Sequence, residues 1–363
     1  MKHICITCFL LHSLSAFAQL EKHMDSLINS NIRPNEPGIA LYVESNGKVI
    51  YKKGFGLADT EIDLDISPKT NFRLASITKQ FTAMCILLLE KDGKLSLNDP
   101  ISKFFPELPE KIGSKILLRQ LITHTSGIID YEEIMENSEQ TQLLDKDVLD
   151  LLKTQQTTYF EPGSKFRYSN SAYALLALVV ERVSGKTFPE FMKERVFNPL
   201  GMKNSMVYEK DIKIPNRSIG YAKNKDNKLY RNDQSSTSAV KGDGGVYCSL
   251  NDYKKWTHAL WNNRLVDMSS AISRVKIPIK EVSSSYYGPG WFYFDKGYRA
   301  WFHSGSTSGF SNYSINIPEK RTSIVYLSNI AGNSEIFKKI LKVLEQEGIS
   351  NPSEVFNLHQ LSR

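Results

Sequence analysis

Cysteine is scarce in this 363-residue chain: four are present, and Cys5 and Cys8 fall in an N-terminal segment expected to be removed. The remaining two, Cys85 and Cys248, are too few for a disulfide framework or for a metal site of their own. Cys85 stands in the apolar run Met84 to Leu89 and reads as a buried, inert thiol. Long hydrophobic runs are missing as well. The stretch Ile4 to Leu14 is about half the length of a bilayer-spanning helix, which needs roughly 20 residues, and no later segment is long and apolar enough. Blocks of like charge are also absent. The formal charge is +7, yet Lys and Arg are scattered, a pattern that gives no support to nucleic-acid binding. A mild positive balance suits contact with an anionic envelope, and solubility explains it equally well. No internal repeat or low-complexity tract occurs.

What is present begins with a leader. Lys2, the apolar stretch, and then Ala16, Phe17 and Ala18 ahead of Gln19 predict a signal peptide over residues 1–18, cleaved after Ala18. Its cysteines lie inside the leader rather than at the cut, which argues against lipid attachment. The mature chain is expected to be soluble, periplasmic or secreted, with no membrane span after cleavage. With 41% hydrophobic and 23% charged residues the composition is that of an ordinary globular protein. Its length exceeds what one core fills, so two packed lobes are expected.

An amphipathic helix is predicted from Leu20 to Ile28, then a linker through Pro34 to Pro37. Gly38 to Glu44 and Lys48 to Phe55 read as strands joined at Asn46 and Gly47, a strong hairpin signal. Phe72 to Leu89 reads as a helix with its N-terminus near Ala75, stopped by Asp92 and Gly93. From Leu97 to Gly201 the pattern is almost wholly helical; the segment Ser171 to Val183 is apolar on most sides, which implies deep burial. Strands return at Tyr298 to His303, Ser308 to Ile317 and Thr322 to Leu327, followed by a helix from Ser334 to Gln346. Strands at both ends with helices between them predict an α/β (α+β) fold in which a mixed lobe, 19–75 with 240–348, is interrupted by a helical lobe at about 76–239. Residues 349–363 form a C-terminal tail.

Ser followed at three residues by Lys occurs at Ser45, Ser76, Ser238 and Ser273, so spacing alone decides nothing. Context separates them. Ser45 straddles the hairpin, Ser238 lies in a Ser-rich loop and Ser273 in a surface stretch, whereas Ser76 opens a predicted helix. There, positions three apart share a face and bring the Lys79 amine beside the Ser76 hydroxyl. A serine becomes a competent nucleophile when a neighbouring base takes its proton, and a lysine does this only when neutral. Burial and a nearby cation such as Arg73 favour that state. A second element, Tyr168-Ser-Asn170, follows Glu161-Pro-Gly163 and precedes the buried helix. Its phenol is a candidate base or relay, and the Asn170 amide is suited to hold a substrate carbonyl or to orient Lys79. A third element, His303-Ser304-Gly305 followed by Ser306, ends a predicted strand. Glycine there lets a ligand approach the strand edge, and the Ser306 N–H is a candidate oxyanion donor. Singly, each element has a bland structural reading: a helix cap, a helix-entrance tyrosine, a structural histidine.

In this order and spacing the three elements resemble the penicillin-recognising serine hydrolases: class C β-lactamases, serine DD-peptidases and related esterases. Further landmarks similar to that family are Phe72-Arg-Leu-Ala-Ser-Ile-Thr-Lys79, Leu121-Ile-Thr-His-Thr-Ser-Gly127, Phe160-Glu-Pro-Gly163, Asn198-Pro-Leu-Gly-Met202, Gly242-Asp-Gly-Gly245 and Tyr287-Gly-Pro-Gly-Trp291. The resemblance runs from about Pro37 to Asn329. It implies an antiparallel sheet flanked by helices, a helical lobe, and an active site in the groove between them. By the same resemblance Ser76 is the nucleophile, Lys79 and Tyr168 the proton-transfer pair, and Asn170 a substrate contact. His303, Ser304, Gly305 and Ser306 form the substrate-binding strand, the Ser76 and Ser306 N–H groups form the oxyanion hole, and no metal or cofactor is involved. The third element departs from the pattern of β-lactamases and many DD-peptidases, which begin it with lysine. Histidine here is similar to D-aminopeptidase-like and esterase-like members, so a weaker grip on substrate carboxylates is expected. The substrate class implied is a small molecule or a peptide of the cell wall carrying D-amino acids. The alternatives are an esterase, a weak β-lactamase, and a non-catalytic module that binds wall fragments.

Overall fold

The computed structural model describes residues 18–136, 141–280, 284–349 and 351–361. The predicted export signal therefore lies outside the described residues except for Ala18, which opens helix α1 (residues 18–29). Eight strands form the main sheet: β1 (Ile39–Ser45), β2 (Lys48–Phe55), β3 (Ile277–Pro278), β4 (Ser285–Gly288), β5 (Trp291–Asp295), β6 (Arg299–Thr307), β7 (Phe310–Ile317) and β8 (Thr322–Ser328). Their spatial order is β3-β4-β5-β6-β7-β8-β1-β2, and every neighbouring pair is antiparallel.

The hairpin β1–β2 turns through Asn46 and Gly47, both at positive φ (51° and 75°), the left-handed backbone that a two-residue turn matched to strand twist requires. Strand β1 then pairs on its other side with β8, in the register Ile39 with Ser328. This joins the two ends of the chain in one sheet. Because β1 has a neighbour on each side and a layer on each face, its run Ile-Ala-Leu-Tyr-Val is apolar at every position rather than alternating.

Alternate residues sort to the two faces. Ile39, Leu41, Val43, Phe302, Ile315, Ile317, Ile324 and Tyr326 pack with α1 (through Leu20, Met24 and Ile28) and with the helices near the C-terminus. Ala40, Tyr42, Trp301, Val325 and Leu327 belong to a second core shared with the helical region. That region centres on α2 (Lys79–Lys91) and α3 (Asn170–Ser184), which pack on each other. Helix α3 begins at Ser169, whose hydroxyl accepts from Ala172 N at 3.2 Å, and ends at Gly185 in the left-handed conformation. On the other face, α4 (Ser334–Gln346) contributes Phe337, Ile340, Leu341 and Leu344, and α5 (Pro352–Leu361) contributes Val355 and Phe356. Cys85 is buried in α2, and burial pushes its thiol pKa up.

One local expectation is corrected. Phe72 to Lys79 is not continuous helix: Phe72–Arg73 is a short strand paired with Val246–Cys248, Ala75–Thr78 is a 3-10 turn, and the α-helix starts only at Lys79. The physical reason lies at Ala75, whose φ of 51° lies in the left-handed region and breaks the run into two directions.

Candidate active site

Ser76 sits on that 3-10 turn, immediately after the strained Ala75. A non-glycine residue at positive φ is sparsely populated, and it persists here because the flanks are pinned. Leu74 N donates to Val246 O at 2.8 Å, and Thr78 Oγ1 accepts from Val246 N at 3.0 Å. The Asn312 amide donates to Arg73 O at 2.9 Å from strand β7. The turn leaves Ser76 partly exposed while the residues on either side are buried.

Strand β6 lies directly against this turn at Gly305. A Cβ on Gly305 would stand 2.0 Å from Leu74 O, so only glycine allows the strand edge to come so close. Gly290, at φ 78°, plays the same part from the other side: a Cβ there would meet Gln80 Cα at 2.5 Å and Lys79 O at 2.7 Å. Two glycine contacts thus clamp the serine–lysine segment against the sheet.

Lys79 is completely buried. Its ammonium donates to Ser76 Oγ at 3.2 Å, to Asn170 Oδ1 at 2.7 Å and to Asp243 O at 3.0 Å. These three acceptors match the three protons of an ammonium, so the charge is fully hydrogen-bonded despite its burial. The rings of Tyr168 and Tyr173 stand 4.9 and 5.6 Å from the nitrogen and add cation–π attraction. When the amine loses a proton, the Ser76 contact reverses and the lysine nitrogen accepts from the serine hydroxyl. Arg73, by contrast, is directed to Ser238 O at 2.6 Å and Gln234 Oε1 at 3.2 Å.

Carboxylates surround this cation at one remove. Asn170 Nδ2 donates to Glu132 Oε1 at 3.0 Å, and Asn170 N donates to Asp130 Oδ2 at 2.7 Å. Asp243 Oδ2 accepts from Tyr131 OH at 3.0 Å. Burial pushes the Asp243 carboxyl up to about 7, opposed by the Lys79 charge and reinforced by Asp145 and Glu132. Burial likewise raises Asp145 to about 6 and raises Glu132.

Tyr168 packs parallel to Phe292, with ring centroids 6.4 Å apart, and against His124 at 4.3 Å. Its hydroxyl is buried and has no hydrogen-bond partner among the described residues. The lysine therefore stands over the Tyr168 ring rather than against its oxygen. His303 is fully buried. Its Nδ1–H donates to Ser304 O at 2.7 Å, which in the neutral ring leaves Nε2 to accept from Tyr287 OH at 3.3 Å. Its ring centroid is 6.2 Å from that of Tyr168. Ser304 is buried beside it, and Ser306 is exposed at the strand end. The fold thus gathers Ser76, Lys79 and Asn170 by hydrogen bonds, Tyr168 by ring contact, and brings the His303 strand to them through Gly305.

Several neighbours carry no obvious chemical signal in the sequence. His124, at φ 57°, accepts from Ser169 N at 3.1 Å through Nδ1 and is wedged among Tyr168, Tyr173 and Tyr287. Burial, then the charges of Lys79 and His303, hold its pKa well below the usual histidine value, so it is a neutral packing piece. His124 and Asp243 lie in two of the landmark segments, which was the one signal available for them. Tyr131 and Glu132 had none.

Known proteins share this chain's sequence pattern and fold. Residues 17–346 match the family model described as Beta-lactamase. The chain is 28% identical over 354 residues to Penicillin-binding protein 4* of Bacillus subtilis, covering 92% of this chain and 77% of that protein. It is 32% identical over 313 residues to the putative penicillin-binding protein PbpX of the same organism, covering 85% and 75%. The D-amino acid amidase of Ochrobactrum anthropi shares the fold, with a TM-score of 0.75 at 22% identity over 90% of this chain and 99% of that one. With a serine on a strained turn, a buried lysine bonded to it and a matching sheet behind, this chain belongs to the Beta-lactamase family and is a serine hydrolase of that fold.

Proposed function

We propose that the chain is an exported hydrolase that opens amides or esters of D-amino-acid compounds, including cell-wall peptides, through an acyl-enzyme on Ser76. The observation that carries this reading is the buried Lys79 nitrogen 3.2 Å from Ser76 Oγ. In the reactive state Lys79 is neutral and takes the serine proton as Oγ attacks the substrate carbonyl. The tetrahedral oxyanion faces the N–H groups of Ser76 and Ser306. As the carbon–nitrogen or carbon–oxygen bond breaks, the leaving group takes a proton from Lys79, relayed by the Tyr168 phenol once substrate brings that oxygen into the lysine's reach. Water then gives a proton to the same pair, attacks the ester carbonyl, and releases the acid with Ser76 restored.

The unpartnered Tyr168 hydroxyl supports the relay, because a buried hydroxyl without a partner costs about 1–3 kcal/mol, which a substrate group in reach would relieve. Asn170 spans Lys79 and Glu132, so it holds the lysine, and in this reading the second N–H of its amide is left for a substrate carbonyl. His303 is covered by Tyr287, so in this reading it reaches a substrate carboxylate only if that cover shifts. A weak grip on carboxylates favours amides and esters over penicillins.

Purified protein is to be incubated with a chromogenic short-chain ester, a D-amino acid amide and a fluorescent penicillin, each repeated with Ser76→Ala. Serine-dependent turnover of the amide or ester is expected. Labelling by penicillin without turnover of any of them would replace the enzyme reading with a wall-fragment receptor. For export, N-terminal sequencing of the mature protein should begin at Gln19; retention of Met1 would overturn that part.

A further inference from the structure

One concavity lies apart from the catalytic residues. It is a cavity of about 400 Å³ between the loop that leads into Tyr168 and the segment entering strand β3. Five cationic side chains line it, Arg119, Lys165, Arg274, Lys276 and Lys280, and no described lining residue is acidic. All five are exposed. Of these only Arg274 has a carboxylate partner among the described residues, Glu90 at 3.0 Å. Lys276 rests over the Tyr286 ring at 4.4 Å, which positions its nitrogen without neutralising it.

Other surface cations form ion pairs, among them Arg182 with Glu107, Arg195 with Asp92 and Arg231 with Glu61, whereas four of the five cavity cations share one concave wall without such a partner among the described residues. Like charges gathered around a concave wall repel one another, and low-dielectric walls strengthen their joint field. Such a cluster is stable when an anion completes it. The wall also carries the hydroxyls of Thr123 and Thr125, 2.9 Å apart; Thr123 donates to Arg119 O at 2.7 Å, and the Thr125 O–H is the one that can turn to donate to an anionic oxygen. The volume suits a small ligand, since binding pockets run from about 300 to 1,000 Å³.

We infer that this cavity is a binding site for a compact polyanion, a ligand bearing two or more phosphate or carboxylate groups close together, separate from the hydrolytic centre. Its wall is continuous with the catalytic loop. Gly163 N donates to Thr125 O at 2.7 Å and Arg167 N to His124 O at 2.9 Å, one residue before Tyr168. Phe166, on the wall, meets His124 edge-on at 6.0 Å. An occupant therefore bears on the same loop that holds Tyr168 and Asn170.

The test is titration calorimetry of the full mature chain with inorganic pyrophosphate at low salt, and flotation with vesicles of phosphatidylglycerol or of phosphatidylcholine. Saturable binding is expected that weakens as salt rises. The double variant Lys165→Gln with Lys276→Gln should lose at least about tenfold in affinity, the size expected for losing a charge-assisted contact. Arg119→Gln serves as an independent variant. Turnover of a neutral ester should be unchanged in all of them, which controls for folding. Binding to phosphatidylglycerol vesicles that depends on these residues, without pyrophosphate binding, assigns the ligand to a lipid headgroup; the reverse assigns it to a soluble anion. No saturable binding of either probe, or equal affinity in parent and variants, overturns the inference.

Discussion

The two faces of the eight-stranded sheet are built on different physical terms. On one face α1, α4 and α5 bury apolar side chains, including Met24, Ile28, Phe337, Ile340 and Leu341, all at 0% exposure. On the other, polar side chains are buried between sheet and helical region: Lys79, Asp243 and His124, with Asn312 from β7, each with assigned partners. The apolar face supplies stability, and the polar one spends some of it on a strained Ala75, carboxylates raised by burial and an unpartnered Tyr168 hydroxyl. Function resides where local rules are broken and the surroundings hold the exception in place.

Four substitutions separate the two faces. Ser76→Ala should lower ester turnover by at least about a thousandfold while leaving the melting temperature unchanged or slightly higher; comparable turnover in the variant would remove the nucleophile. Phe337→Ala, on the apolar face, should cost about 3–5 kcal/mol in urea unfolding. Its kcat/KM for the folded fraction should match the parent, and a large catalytic loss would show that the faces are not independent.

Gly305→Ala forces a methyl against Leu74 O and should push β6 off the serine turn. A loss of roughly a hundredfold in kcat is expected, since displacements near 1 Å have that effect, with a smaller stability loss of about 1–3 kcal/mol. Unaltered kcat would mean that the strand does not position the oxyanion donors.

The smallest effect concerns pH. Burial raises the Asp243 carboxyl to about 7, above its unfolded value, so the folded chain holds that proton more tightly. The stability this confers is complete below the usual carboxylate range and is lost as pH climbs through about 7. Asp243→Asn should therefore flatten the decline of unfolding free energy between about pH 5 and pH 8 by an amount on the order of 2 kcal/mol. Parallel curves for parent and variant in urea melts at several pH values would show that the buried acid is not a source of the pH dependence.

Much of the scaffold was legible because it depends on short-range patterns. The Asn46-Gly47 turn, the apolar run of α3 with Gly185 after it, and β2, β7 and β8 follow from local periodicity and turn chemistry. The short strands β3 to β5, at one end of the sheet, carry no comparable local signal. They are two to five residues long and gain order from pairing in succession, β3 on β4, β4 on β5 and β5 on β6, rather than from their own propensity. The segment at Ser76 was read as helix because its apolar spacing suits one; the pairing of Phe72–Arg73 with Val246–Cys248, a long-range contact, overrode that preference.

At the site, the spacing of Ser76 and Lys79 puts the two groups on one face of a helical turn, and the structure places them 3.2 Å apart. The sequence by itself determined which residues carry nucleophilic and basic groups, where the chain turns and which stretches are apolar, since these depend on side-chain identity and neighbours within a few positions. Tertiary structure decided the rest: that Lys79 is bonded to Asn170 and to the Asp243 carbonyl, that it lies over the Tyr168 ring, and that His303 is covered by Tyr287. Those arrangements join residues from 16 to 164 positions apart. Only packing, with its demand that every buried polar group find a partner, specifies such distances and orientations.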